Sequence, residues 1–251
     1  MKYDGLYADY WSNQTARVEA LRKKISSGTV TAFGRLIPDE SDLVIGTGRR
    51  LDATIMFTDI CGFSNRQSST ADEQQMMLRV LNLYFTEMIR IVADYGGTVE
   101  KNTGDGLMAY FENEALGTVG ENSTLRALSC AMTMQATNTH LIGPILRASN
   151  VLPIQFRTTI EYGQVTIAKM GAPRLFNTNT AIGNAVNFAS KMLGWVTADQ
   201  IGLGQTANSR IPVAWQIQHS VIAPVSTGWT YGTPPKPYPI YLYNGRWAKL
   251  L

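Results

Sequence analysis

Ala53–Phe63, ATIMFTDICGF, and Thr98–Phe111, TVEKNTGDGLMAYF, decide how this chain is read. The first is an apolar run rich in strand formers that ends on Asp59, with Gly62 next to permit a tight turn. The second reads as a β-hairpin whose turn carries Gly104, Asp105 and Gly106. Asp59 and Asp105 stand 46 positions apart (105 − 59), with a helical pattern between them. Taken singly, each is an ordinary turn aspartate. If the two strands pair, both carboxylates come to one end of a sheet. Two carboxylates with a strand-end carbonyl suit hard cations such as Mg²⁺ or Mn²⁺. Two such ions roughly 4 Å apart can activate a hydroxyl and hold a triphosphate.

Composition narrows the setting. The chain has 251 residues, 45% hydrophobic and 16% charged, enough for one large domain with extensions. A net charge of +3, with Arg22, Lys23 and Lys24 as the longest basic run, gives no case for nucleic acid. No apolar stretch approaches the roughly 18 residues of a membrane span, and the acidic start MKYDGLYADYW is unlike a signal peptide. Cys61 and Cys130 have no metal spacing and read as reduced thiols of a cytoplasmic protein. His140 and His219 lie far apart, which speaks against a histidine-based site.

Along the chain, periodicity predicts a packing or dimer helix over Leu6–Ser26, then a linker over Gly28–Gly48 with short extended pieces near 29–36 and 43–45. A strand over Ala53–Thr58 leads to a helix over Glu73–Tyr95, capped by Thr70 or Asp72 and stopped by Gly96-Gly97. The hairpin, 98–102 and 107–111, precedes a helix over Thr124–Arg147. Two strands, Ile154–Ile160 and Gln164–Met170, are expected across a turn at Tyr162-Gly163. A polar loop, Asn177–Ile182, follows, then a helix over Gly183–Leu193. Gln200–Leu203, Pro212–Ile222 and Tyr238–Asn244 read as late strands. This order gives an α+β fold. The division expected is an N-terminal helix and linker, 1–48, and a catalytic domain with a C-terminal extension, 49–251.

Three motifs occur together: F-T-D-I-C-G-F at 57–63, K-N-T-G-D-G at 101–106 and G-N-A-V-N-F-A-S-K at 183–191. The set resembles the class III nucleotide cyclases, the adenylate and guanylate cyclase family, over about Arg49–Leu203. The resemblance implies a ferredoxin-like catalytic domain, a mainly antiparallel sheet with helices on one face, and a head-to-tail homodimer with shared sites. It implies attack of a ribose 3′-hydroxyl on the α-phosphorus of a nucleoside triphosphate. Asp59 and Asp105 match the two metal aspartates, and Ile60 the residue that adds its backbone carbonyl, so two divalent cations, Mg²⁺ or Mn²⁺, are implied. The amides of Cys61 to Phe63 are expected to cradle phosphate. Arg157 matches a phosphate-binding arginine and Asn187 the asparagine that orients the ribose. Lys191 stands where the family has a transition-state arginine. Lysine keeps the charge and loses the bidentate fork, unless Lys169 or Arg174 takes the role.

Lys101 and Thr180 fall on the base-reading positions, and by residue type they suggest ATP. The short N-terminal helix, G-R-R-L-D before the first strand, E-Y-G-Q-V-T-I-A-K-M-G and the longer F-N-T-N-T-A-I-G-N-A-V-N segment are similar to the pyrimidine cyclases of Pycsar anti-phage defence. That similarity implies UTP or CTP. Lys101 can donate to a uracil carbonyl, and no base-reading carboxylate is present to accept from cytosine, which favours UTP over CTP. The expectation is therefore a uridylate cyclase. The alternatives are an adenylate cyclase or an inactive, nucleotide-binding cyclase-like module.

Overall fold

The computed structural model describes residues 8–26, 48–66, 69–102, 104–112, 122–172 and 176–247. The extended pieces expected near 29–36 and 43–45, and Arg174, lie outside them. In chain order the elements begin α1 (Ala8–Ser26), β1 (Gly48–Ile60), α2 (Ala71–Asp94), β2 (Thr98–Asn102) and β3 (Gly106–Glu112). Next come α3 (Ser123–Thr137), α4 (Gly143–Ala148), β4 (Phe156–Ala172), β5 (Phe176–Ile182) and α5 (Asn184–Met192). The chain closes with β6 (Ile201–Gly204), α6 (Gln205–Asn208), α7 (Val213–His219), β7 (Ser220–Ile222), β8 (Thr230–Tyr231), β9 (Lys236–Pro237) and β10 (Ile240–Tyr243). A single π-helical turn, Asn138–Ile142, joins α3 to α4.

The main sheet runs β2-β3-β1-β4-β6-β10-β7, with β5 added to β4. Its pairings among the described residues are antiparallel except β4 with β6. The fold is the α+β class expected. Side chains alternate across β1: Met56 and Ile60 enter one apolar core with Phe111, Phe156, Tyr84, Met88, Leu128 and Met132. Ala53 and Ile55 enter a second core with Met108, Val165, Ala185, Ala189 and Met192. The long helices α2 and α3 thus cover one face, and the short α5 covers the other. Phe156 is fully buried, and truncating it to alanine would cost about 3–5 kcal/mol.

The helix after β1 begins where its sequence says it should. The Thr70 hydroxyl accepts from the Glu73 N–H while the Glu73 carboxylate accepts from the Thr70 N–H, a reciprocal cap. Helix α1 packs on α2 of its own chain. Arg17 reaches Glu87 at 3.1 Å and Asp94 at 2.9 Å, and Val18 is buried between them and the core.

Three sequence expectations fail, each for a physical reason. No turn forms at Tyr162-Gly163. Strand β1 supplies a partner for every residue from Phe156 to Ala168, so β4 runs straight through. Gly163 serves close packing instead, since a Cβ there would sit 3.2 Å from Ala185 of α5. The segment 177–182 is a strand, not a loop. It pairs with the outer half of β4, where an edge position accepts the polar Asn and Thr side chains while Ala181 turns inward. Residues 213–219 form α7 rather than a strand. The carbonyl of Pro212 accepts from the N–H groups of Trp215 and Gln216, which starts a helix.

Candidate active site

The strand pairing does what the spacing of the two aspartates requires. Thr58, Asp59 and Ile60 are the last residues of β1, and Asp59 stands opposite Gly106 of β3 and Arg157 of β4. The Ile60 N–H donates to the Asp105 carbonyl at 2.9 Å. Asp59, Ile60 and Asp105 therefore meet at one sheet end, half-buried at the two carboxylates. Arg157 grips one oxygen of Asp59: Nε donates to Oδ2 at 2.9 Å and Nη2 to the same atom at 2.7 Å. With the Asp59 and Arg157 side chains 20% and 30% exposed, this pair orients the carboxylate more than it stabilises the fold.

The donor set fits a hard divalent cation that shares its coordination with substrate. Two carboxylates and a backbone carbonyl at a strand end are too few for a closed protein cage, and the described residues hold no group of three or more His, Cys, Asp or Glu placed for a metal. An ion of the magnesium type is commonly held by one or two carboxylates with phosphate oxygens completing the shell.

Beyond Ile60 the chain turns through Gly62, whose φ of 66° is left-handed and favours glycine. The N–H of Cys61 is taken by the Gln155 carbonyl at 2.8 Å, so of the three amides expected to cradle phosphate, those of Gly62 and Phe63 remain for the task. The Phe63 side chain packs against the helix-side core. Burial pushes the Cys61 thiol pKa up, which makes it a poor nucleophile.

The two expected base readers sit on strands that the fold brings together. Lys101 stands on β2 opposite Met108, and Thr180 on β5 opposite Ala168, half-buried. The Ala181 N–H donates to the Glu100 carboxylate at 2.9 Å, which ties β5 to β2. Lys169 lies opposite Asn179 in the same stretch.

Helix α5 carries the other expected groups. Asn187 and Lys191 are one turn apart on its exposed side, while Ala185, Ala189 and Met192 are buried against the sheet. Its Phe188 ring stacks on Trp229 at 4.4 Å, and Trp229 meets Trp195 edge-on at 5.2 Å. Tyr238 packs against both Phe188 and Trp229 and donates its hydroxyl proton to Glu161. Glu161 also accepts from the N–H groups of Tyr162 and Ala207. Burial raises its pKa to about 7, against the opposing pull of those three hydrogen bonds. Sequence reasoning missed this clamp. Its one legible sign was an acid in the otherwise uncharged strand run T-T-I-E-Y-G. Lys236 is exposed on β9.

Residues 47–223 match the family described as the adenylate and guanylate cyclase catalytic domain. The chain belongs to that family. Its fold is shared with the adenylyl cyclase CyaB from P. aeruginosa (TM-score 0.63, 25% identity, 81% of this chain and 99% of that one). A guanylyl cyclase structure superposes with TM-score 0.65 at 22% identity, over 79% of this chain and 94% of that one. Among sequence relatives, the uridylate cyclase of Xanthomonas perforans is 28% identical over 64% of this chain and 68% of its own length. That of Rhodovulum sp. (strain MB263) is 24% identical over 63% of this chain, and the match spans 65% of the relative. An adenylate cyclase of Anabaena cylindrica is 27% identical over 66% of this chain, and the match spans 34% of its length. Among the described residues no helix is long and apolar enough to cross a membrane.

Proposed function

We propose that this protein is a nucleotide cyclase that converts UTP to 3′,5′-cyclic UMP and pyrophosphate, making a second messenger for bacterial anti-phage defence. In the reaction the ribose 3′-oxygen forms a bond to the α-phosphorus, the bond from that phosphorus to the bridging oxygen of the pyrophosphate breaks, and the hydroxyl proton passes to solvent. The observation that supports the reading is the Ile60–Asp105 backbone bond, which brings the segments carrying Asp59 and Asp105 to one sheet end. Divalent cations bound by Asp59, Asp105 and the Ile60 carbonyl would neutralise the triphosphate and acidify the attacking hydroxyl.

The chain's own groups do the rest. Arg157 holds Asp59 through Oδ2, with Nη1 on the Val196 carbonyl at 3.4 Å, and would bind phosphate by exchanging that weaker contact. Asn187 orients the ribose, and Lys191 places a positive charge on the oxygens that gain charge as the bond to pyrophosphate breaks. Lys101 and Thr180 read the base. The pyrimidine assignment is supported by the uridylate cyclases among the relatives. A second reading, an adenylate cyclase, is favoured by the residue types at 101 and 180 and by the Anabaena relative. Purified protein given ATP, GTP, CTP and UTP together at equal concentration with Mn²⁺ separates the two. Cyclic UMP as the main product is expected. Cyclic AMP would overturn the base assignment and keep the cyclase, and no cyclic product would overturn both.

A further inference from the structure

A cleft of ≈ 580 Å³ opens behind the turn that follows β1, within the range of about 300–1,000 Å³ typical of small-molecule sites. Its wall includes Cys61 and Gly62, so it borders the turn expected to cradle substrate phosphate, but it does not include Asp59, Ile60 or Asp105. Four observations suggest it is built to bind something. Arg66 is half-buried, donates from Nη1 to the Leu152 carbonyl at 3.1 Å and from Nη2 to the Pro153 carbonyl at 2.7 Å, and meets no carboxylate among the described residues. Burial without a counter-charge lowers its pKa. Arg147 lines the same cleft over Gly143, exposed and without an ion pair among the described residues.

The third observation is Asn138, which is 6% exposed and lines the cleft. Its Nδ2 donates to the Ile154 carbonyl at 2.8 Å, while its Oδ1 is buried with no partner. A buried acceptor without a donor is costly, so this wall of the cleft is left with incomplete hydrogen bonding. The fourth is backbone. Asn138 opens the π-helical turn, closed by the Gly143 N–H on the Asn138 carbonyl, and such turns concentrate at functional sites. Across the cleft, Asp199 holds a left-handed φ of 61°, uncommon for a residue other than glycine, and accepts from Gln155 Nε2 at 3.2 Å.

We infer that this cleft is a second ligand site, for a phosphorylated small molecule of mononucleotide size. The phosphate would lie on Arg66 and Arg147. Gln155 lines the cleft, and its carbonyl accepts from the N–H of Cys61, the residue after Ile60. Occupancy therefore bears on the loop at the catalytic end. That coupling rests on the proposed cyclase site, whereas the binding does not.

The test is methyl NMR of the full chain titrated with inorganic phosphate and with uridine 5′-monophosphate. Saturable shifts at the Leu152 and Ile154 methyls are expected with at least one probe. They should persist in Asp105→Ala and weaken about tenfold or more in Arg147→Ala, the loss of one charge-assisted contact. Arg147 is exposed and its side chain makes no hydrogen bond or ion pair among the described residues, so a folded variant is expected. No shift with either probe at millimolar concentration, or shifts unchanged in Arg147→Ala, would overturn the site whatever the enzyme's activity.

Discussion

The two halves of the proposed active site differ in how they are held. At the sheet end, Asp59 is pinned by Arg157, and Asp105 is fixed by the backbone bond to Ile60. On α5, Asn187 and Lys191 face outward and bond to no other side chain among the described residues. The first half is preorganised by strand register. The second is exposed on the surface of α5. A head-to-tail dimer would explain both, with each α5 completing the partner's sheet-end site about a two-fold axis. Lys101 and Asp105, only four residues apart, would then serve different sites.

The contrast breaks most sharply at the carboxylates. Asp59→Ala or Asp105→Ala should lower turnover about 10³-fold or more while leaving the melting temperature nearly unchanged, because each removes a preorganised charge where the triphosphate must be neutralised. Near-normal turnover at saturating Mn²⁺ would remove the sheet-end half from the account.

The support beneath α5 is tested by pH. Glu161 is buried, and its folded-state pKa of about 7 lies above the unfolded value of 4.5. The folded state binds the proton more tightly, so this stabilising contribution is whole below pH 4.5 and is lost as pH rises through 7. The gap corresponds to about 3 kcal/mol. Glu161→Gln should flatten the fall in melting temperature across that window, since the amide keeps an acceptor for Tyr162 and Ala207. A slope equal to that of the unsubstituted protein would show that Glu161 does not titrate there.

On the helix half itself, Lys191→Ala should cost about 10²-fold in kcat with little change in KM, the signature of a charge felt in the transition state. Lys191→Arg should keep or raise activity by restoring a bidentate fork. A raised KM with kcat unchanged would make Lys191 a ground-state binder instead. The smallest effect is expected far from both halves. Thr70→Ala removes the cap of α2 and should cost about 1 kcal/mol of stability by thermal melting, with kcat unchanged.

What was legible in the sequence divides along the same line. The strand that ends on Asp59 and Ile60 and the hairpin whose turn carries Asp105 were readable because strand alternation and turn glycines are local signals, and local signals set the register that joins them. Tyr162-Gly163 misled for the opposite reason. Whether a glycine turns or packs depends on the length of the strand beside it, and β1 is 13 residues long. The strand at 177–182 was hidden because an edge position lifts the demand for apolar residues. The clamp of Glu161, Tyr238 and Trp229 joins residues as much as 77 positions apart (238 − 161), and no periodicity encodes such a contact. The cleft beside Asn138 is likewise a product of tertiary packing.

The most direct measurement is complementation. Asp59→Ala chains leave the α5 half intact, and Asn187→Ala chains leave the sheet-end half intact. Each variant alone should be nearly inactive. Mixed and allowed to exchange subunits, they should recover part of the cyclase activity, because each mixed dimer holds one site with both halves whole. Two folded variants that exchange subunits yet recover no activity would contradict a site shared between two copies of this chain.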